Sequence, residues 1–215
     1  MQTELVDELH ASWFGSALND PTAARAQAKV WFGHDPAFDA VLAARFGDLP
    51  PRVLAGGFDQ CVQAPRQALA RILALDQLPR NIFRNTPRAY AFDAGAVAAA
   101  SAALASGHDR ELHPLEAAFV YLPFEHAEDL DMQVRAVELF EGLRVRAPHV
   151  LQDLFASFAD FAHRHHGVIL RFGRFPHRND TLGRASTPEE RAYLASGGEH
   201  FGARPRGQKP TLPPA

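Results

Sequence analysis

The sequence has little sulfur and few polar aromatic residues. It contains one cysteine, Cys61, with two methionines, two tryptophans and three tyrosines among 215 residues. A single cysteine excludes a disulfide framework within the chain and is typical of a reducing compartment. Phenylalanine, with 16 residues, supplies most of the aromatic content. Many of these residues precede Gly or Pro, which favours helices whose ends are held by aromatic packing.

The sequence also lacks a large net charge and a long apolar run. Its formal net charge is −3 and its isoelectric point is about 6.4, so nothing attracts it to phosphate backbones. The longest uncharged stretch of small residues, 94–107, is far below the ~20 residues of a membrane helix. Residues 1–13 carry acidic groups where a secretory signal carries positive charge. We expect a cytoplasmic protein that binds neither nucleic acid nor membrane.

Familiar catalytic and cofactor motifs are absent as well. The sequence has no glycine-rich phosphate loop, no legible nucleophilic triad, and none of the H-x-x-x-H or C-x-x-C spacings that indicate a metal site. Nucleotide hydrolysis by known machinery is therefore disfavoured. No metal ion is predicted, and the sequence identifies no cofactor.

Proline marks the starts of several helices. Asp20-Pro21, Asp35-Pro36, Thr86-Pro87 and Thr187-Pro188 have the favoured order of cap and first helical residue. Apolar residues repeat at helical spacing and no strand pattern occurs. The predicted helices are 2–14, 21–33, 36–46, 65–78, 87–106, 114–121, 123–145, 147–169 and 188–195. We predict an all-α fold of stacked antiparallel helix pairs, either a superhelix or a compact bundle. Residues 1–201 form one domain, and residues 202–215 form a disordered tail that contains Pro and Arg.

Three polar segments interrupt the apolar helices. The first contains Asp76, Gln77, Arg80, Asn81 and Arg84, and directly follows the most apolar helix. The second, on a helix that Pro123 is predicted to open, contains Glu125, His126, Asp129 and Gln133. The third contains Arg174, His177, Arg178, Asn179 and Arg184, within a predicted loop over 171–186 that is long enough to indicate function or disorder.

These segments, in this order, resemble an uncharacterised and mainly bacterial family, domain of unknown function 924. The resemblance extends from Trp31 to Phe201 and is most specific in the strings 76–81 and 172–179. It implies an all-helical, tetratricopeptide-like superhelix and no established activity. It adds His165 to the candidate site residues, because the distance from His165 to Phe172 fits the family pattern. It also implies that Cys61, which replaces a usual tryptophan, fills space and is not a nucleophile.

Each polar segment has both a structural and a functional interpretation. Asp76 and Arg80 could form an ion pair that closes a helix end, and the acidic residues around Glu125 could stabilise a helix N-terminus. The arginines of the third segment could bind phosphate or carboxylate, dock on the acidic residues 125–131, or face solvent. Solvent exposure is least favoured, because phenylalanines that require burial lie between the arginines.

We predict that the three segments meet in one site, in which Arg80, Arg174 and Arg178 lie opposite Asp76, Glu125 and Asp129. The favoured function is binding of a small anionic metabolite in a charged pocket lined by these segments and by His165. One alternative is an enzyme in which His126 or His177 transfers a proton beside a carboxylate such as Glu125. The other is a helical-repeat module that binds a peptide or protein.

Overall fold

The described part of the chain, residues 2–56 and 64–202 of a computed structural model, is helical and contains no strand. The all-α prediction is confirmed. The α-helices are α1 (Gln2–Phe14), α2 (Pro21–Trp31), α3 (Pro36–Phe46), α4 (Leu49–Leu54), α5 (Pro65–Ile72), α6 (Leu78–Ile82), α7 (Asp93–Ala105), α8 (His108–Glu111), α9 (Pro114–His126), α10 (Leu130–Arg146), α11 (Gln152–Phe172), α12 (Asn179–Leu182) and α13 (Pro188–Ala195). Cys61 and the predicted tail beyond Gly202 lie outside the described residues. Within these ranges, none of the helices has the length and apolarity that crossing a membrane demands.

Side-chain caps fix three of the predicted helix starts. Asp20 accepts a hydrogen bond from the backbone of α2, and Asp35 accepts two from the backbone of α3. At α13 the capping box forms, with Thr187 and Glu190 each bonded to the other's backbone N–H. These caps use only neighbouring residues, so they form as the local sequence predicts.

Two other prolines do not start α-helices as predicted. Pro87 opens only a 3₁₀ turn, Pro87–Ala89, and α7 begins at Asp93. Pro123 lies inside α9, which continues to His126. A proline there removes one backbone hydrogen bond, but every residue of α9 from 115 to 125 is buried. Packing on all sides keeps the helix intact across Pro123, and α10 begins later, at Leu130.

The predicted loop over 171–186 is also wrong, because most of it is helical. Helix α11 continues to Phe172 and ends at Gly173, whose φ of 68° lies in the left-handed region that favours glycine. A 3₁₀ turn, Pro176–Arg178, then leads directly into α12. These elements are one turn long, which is too short to produce a helical period in the sequence.

A π-helical turn, Leu73–Gln77, joins α5 to α6. The N–H of Leu78 donates to the carbonyl of Leu73, five residues earlier. Pro79 follows and has no N–H to donate, and the wider turn accommodates this break in the hydrogen-bond ladder. Asp76 and Gln77 lie in this turn and are buried.

Helices α9, α10 and α11 form the frame of the candidate site. Gln133, near the start of α10, donates to the carbonyl of Glu125 at the end of α9 (2.6 Å). Gln152, at the start of α11, donates to the carbonyls of Arg144 and Ala147 at and just beyond the end of α10. Among the described helices, α10 makes its most extensive contacts with these two neighbours. It therefore packs back along each of them, antiparallel to both, and α9 and α11 run in the same direction. The tetratricopeptide-like superhelix stays a prediction.

An aromatic cluster attaches α1 and α2 to α9. Trp31 of α2 donates its indole N–H to the carbonyl of Trp13 (2.9 Å). Both rings meet Phe119 of α9 edge to face, with centroids 4.9 Å and 5.6 Å from it. This packing holds α2 beside α9 and α11, where its last turn forms one side of a cavity.

Candidate functional site

A cavity of about 570 Å³ lies between α2, α6, α9, α11 and the turn around His177. This volume is within the range of small-molecule sites. Nine of the fifteen predicted site residues line it: Gln77, Arg80, Asn81, Arg84, Glu125, His126, His165, His177 and Arg178. Residues of all three polar segments therefore meet here.

Asp76, Asp129 and Gln133 lie outside the cavity wall. Asp76 is fully buried directly behind His126. Asp129 caps α10, accepting a hydrogen bond from the backbone N–H of Met132 (3.0 Å). Gln133 donates its amide to the carbonyls at the end of α9. Asp129 therefore caps α10 and Gln133 connects α10 to α9, and both of these roles are structural.

The remaining residues of the third segment bind elsewhere. Arg174 is predicted to lie opposite the carboxylates Asp76, Glu125 and Asp129. It pairs instead with Glu190 of α13 (2.7 Å), because Gly173 turns the chain towards α13. Asn179 also donates to Glu190. Arg184 forms two hydrogen bonds with Glu128, one of 2.8 Å. The third segment is therefore divided: Arg174, Asn179 and Arg184 hold it in place, while His177 and Arg178 face the cavity.

The centre of the site is a buried ionic cluster around Asp76. Its Oδ1 lies 3.2 Å from Nη1 of Arg80 and 2.9 Å from Nδ1 of His126, and its Oδ2 accepts a hydrogen bond from Gln77 (2.6 Å). Burial raises the pKa of Asp76, but the positive charge of Arg80 and the hydrogen bonds from His126 and Gln77 outweigh it and lower the pKa to about 2. Asp76 is ionised at neutral pH and fixes both partners.

His126 is held in one orientation and in its neutral form. Its Nδ1 lies 2.9 Å and 3.0 Å from the two oxygens of Asp76. Burial and the nearby Arg80 lower the pKa of His126, in opposition to Asp76. The proton of neutral His126 is therefore on Nδ1, where it bonds the carboxylate, and Nε2 is left as a base.

Glu125 and His165 form a second buried pair that carries no charge at neutral pH. Oε1 of Glu125 lies 3.1 Å from Nδ1 of His165, which is 2.8 Å from the carbonyl of Phe161. Burial, followed by repulsion from Asp76, raises the pKa of Glu125 to about 8. Burial also places the pKa of His165 well below its ordinary value. Glu125 is thus a neutral carboxylic acid beside a neutral imidazole.

Arg178 is a buried guanidinium without a carboxylate of its own. Its nearest carboxylate oxygen is Oδ2 of Asp93, at 3.5 Å, and Arg80 already binds both oxygens of Asp93 at 2.9 Å and 3.1 Å. The faces of Tyr90 and Phe175 lie 4.7 Å and 4.4 Å from the guanidinium carbon. Burial and repulsion from Arg80 lower the pKa of Arg178.

Three residues that line the cavity each have a buried polar atom with no hydrogen-bond partner among the described residues: Nε of Arg178, Nδ2 of Asn81 and Nδ1 of His177. Burial, followed by repulsion from Arg178, lowers the pKa of His177 to about 3, so its ring is neutral. Within residues 2–56 and 64–202, no three His, Cys, Asp or Glu side chains are grouped as they would be to hold a metal ion.

The sequence predictions omitted Asp93 and Tyr90, which surround Arg80 and Arg178. Asp93 stands in the first turn of α7, where the helix dipole alone explains an acidic residue. Nothing in the local sequence connects it with Arg178, which is 85 residues away. Only the tertiary fold identifies these two residues.

Comparison with known proteins gives the fold a family context. A family model described as bacterial protein of unknown function, DUF924, matches residues 9–198. A solved structure of a protein of unknown function from Agrobacterium tumefaciens is similar, with 36% sequence identity and a TM-score of 0.76, over 92% of this chain and 100% of that chain. No curated protein matches the sequence. Neither description names a ligand or a reaction.

Proposed function

We propose that this chain, which belongs to the DUF924 family of bacterial proteins of unknown function, binds a small anionic ligand in the cavity between α2, α6, α9 and α11. The observation that carries the proposal is Arg178, a cavity-lining guanidinium that is 5% exposed and has no carboxylate of its own.

The charges around Arg178 favour the entry of an anion. Burying an incompletely paired charge is costly, and Asp93 is already bound in bidentate fashion by Arg80. Glu125 supplies no negative charge at neutral pH, because its pKa is raised to about 8. A carboxylate or phosphate beside Arg178 would form the short, charge-assisted hydrogen bonds that Asp93 does not form with it.

The unpaired polar atoms in the same wall point to a ligand that accepts hydrogen bonds. Asn81 is 4% exposed and its Nδ2, which can only donate, is unpaired, as is the donor Nε of Arg178. Each unpaired buried donor costs about 1–3 kcal/mol. Small rotations of these side chains towards an anion would recover part of that cost. A peptide-binding module, by contrast, would place its polar residues on an open surface.

A thermal-shift titration with anions tests the proposal. The native protein should melt at a higher temperature in monocarboxylates, dicarboxylates or phosphate monoesters, with stabilisation near 2.7 kcal/mol at about 100 times Kd. Arg178→Met should lose this response, since the thioether keeps the volume and removes the charge. Arg171→Met is the matched control, because Arg171 is exposed and pairs with Glu189 away from the cavity.

Asn81→Leu is a second test of the same cavity wall, with a substitution that changes no charge. It removes the unpaired amide while preserving the shape, so the variant should fold and bind the same anions more weakly. If the native protein responds to no anion, or if Arg178→Met and Asn81→Leu respond as it does, the cavity is not an anion site.

The Asp76 and His126 pair supports a second candidate function, general-base catalysis on the bound ligand. A carboxylate on Nδ1 of a neutral histidine is the arrangement that positions Nε2 to remove a proton. Both oxygens of Asp76 lie within 3.0 Å of Nδ1, and His126 lines the cavity. The reaction class would be proton abstraction next to a carbonyl group.

Deuterium exchange measures such a reaction without knowledge of the physiological substrate. The native protein, incubated with a 2-oxo carboxylate in deuterated water, should accelerate loss of the proton signals next to the ketone. His126→Gln should abolish the acceleration and Asp76→Asn should reduce it. If exchange is no faster than in buffer while the carboxylate binds, the protein is a binder and not a general-base enzyme.

A further inference from the structure

We infer that the anionic ligand is an amphiphile, an organic carboxylate with a single hydrocarbon tail, and that the tail lies along α11 in the apolar half of the cavity. This inference rests on the proposed anion site and adds the chemical class of the ligand. It follows from the order of the lining residues along two parallel helices.

Helix α11 presents a continuous face to the cavity. Leu154, Phe158, Phe161 and His165 line it at intervals of three or four residues, as one face of a helix requires, and Ser157 lies beside Phe158 on the same face. The members before His165 offer mainly apolar surface, and only His165 belongs to the polar cluster. The face therefore changes from apolar to polar towards the C-terminal end of α11.

Helix α9 repeats the same order. Ala118 and Leu122 line the cavity before Glu125 and His126. Because α9 and α11 run in the same direction and Glu125 meets His165 at 3.1 Å, their polar ends coincide. The apolar residues of both helices then lie together, on the side of the cavity away from Arg178.

Helix α2 borders the apolar half with Ala28 and Trp31, and Arg25 and Lys29 of the same helix also line the cavity. The ring of Phe32, which follows α2, is 44% exposed and lies 5.5 Å from that of Phe158. Arg25 donates to the carbonyl of Val150 (2.6 Å) and pairs with Asp153 (2.7 Å), just before the lining residues of α11 begin. The apolar half is thus bounded on three sides by α2, α9 and α11.

The dimensions set the length of the tail. His165 is the eleventh residue after Leu154, and at ~1.5 Å per residue the two are roughly 16 Å apart along the helix axis. Carbon–carbon bonds of about 1.5 Å advance an extended chain by somewhat less than their length, so roughly a dozen carbons would span the face. Shorter acids would bind the polar end and leave apolar surface uncovered.

A series of straight-chain acids tests the inference by isothermal titration calorimetry. Butanoate, octanoate and dodecanoate, all below the concentration at which they aggregate, share one head group and differ in the tail. A buried methylene contributes ~0.8 kcal/mol, or about fourfold in affinity. Octanoate should therefore bind on the order of 100-fold more tightly than butanoate, over four added methylenes.

Two variants separate the tail from the head. Ser157→Phe adds a large side chain to the apolar face at an exposed helical position, so it should weaken octanoate and dodecanoate at least tenfold and leave butanoate unchanged. Ala156→Phe, at the neighbouring exposed residue outside the cavity wall, is its matched control. Arg178→Met should weaken all three acids by a similar factor, because they share the carboxylate.

The outcomes distinguish the two proposals. Equal affinities for butanoate and dodecanoate, with no effect of Ser157→Phe, would refute the amphiphile and leave the anion site standing. If no acid of any length binds, the anion site fails and the amphiphile fails with it. If dodecanol binds as tightly as dodecanoate and Arg178→Met binds both normally, the cavity is a plain apolar site and both proposals are wrong.

Discussion

Glu125→Gln tests the conclusion that a neutral carboxylic acid lies at the centre of the site. Glutamine has nearly the same shape as glutamate and cannot ionise. The pKa of Glu125 is raised from 4.5 to about 8 by burial and by Asp76. At a pH between 4.5 and about 8, Glu125 is ionised in the unfolded chain and protonated in the folded protein, so it takes up a proton on folding. The contribution of Glu125 to stability is complete below pH 4.5 and is lost as the pH rises to about 8.

The size of the effect follows from the same two values. Each pH unit across which only the folded state holds the proton costs about 1.4 kcal/mol. By pH 7 the native protein has lost about 3 kcal/mol, and the loss levels off above pH 8. The Glu125 side chain is only 5% exposed, so solvent screening is small. Glu125→Gln avoids this cost and should be more stable than the native protein at pH 7 by about 3 kcal/mol.

Urea unfolding of both proteins from pH 4 to pH 9 measures this difference. Titrations of other groups cancel when the two free energies of unfolding are subtracted at each pH. The difference should be near zero at pH 4, rise by about 1.4 kcal/mol per unit from pH 5 to pH 8, and then stay constant. Glu138→Gln, at an exposed position of α10, is the matched control for loss of a glutamate. A difference that does not change with pH for Glu125→Gln would show that Glu125 is ionised in the folded protein.

Three further substitutions test the packing around the site. Asp76→Ala leaves Arg80 and His126 without their shared carboxylate and should lower the free energy of unfolding by about 3–5 kcal/mol at pH 7. The pKa of Asp76 is about 2 instead of 3.8, so its contribution to the free energy of unfolding is present above pH 4 and is lost as the pH falls through 2. If Asp76→Ala lowers the free energy of unfolding equally at pH 2 and pH 7, the ionic role is refuted. Tyr121→Phe removes a 2.7 Å hydrogen bond to buried Asp109 and should cost about 1–3 kcal/mol in chemical unfolding, whereas unchanged stability would show that the bond contributes nothing. Thr187→Ala removes the cap of α13 and should cost about 1 kcal/mol in the same assay, and Thr187→Ser should restore most of it.

The sequence predicts those parts of the fold that depend on neighbouring residues. The caps at Asp20, Asp35 and Thr187 form within one helical turn, and all three helix starts are confirmed. Pro123 shows the limit of this reasoning, because its local preference is for a helix start. Helix α9 is buried on every side, in part by helices that are far away in sequence. This packing keeps Pro123 inside the helix.

The candidate site shows the same division. Opposite charges embedded in apolar residues predict that Asp76, Arg80, His126 and Arg178 come together, because burial without partners is costly. The choice of partners is not predictable in this way. Arg178 meets Asp93, and Arg174 meets Glu190. Each of these pairings depends on where a short turn directs the backbone, and no periodic pattern records such a turn.

The π-helical turn at Leu73–Gln77 sets the rotational phase of the ionic cluster. An α-helix turns about 100° per residue, and the π turn holds one residue more than a regular turn. Deleting one residue there would remove the widened turn and would rotate α5 by about 100° relative to Asp76 and Arg80. Either the apolar side chains of α5 would leave the core, or Asp76 would turn away from His126. A single extra residue therefore lets the apolar side chains of α5 pack in the core while Asp76 and Arg80 point towards the ionic cluster.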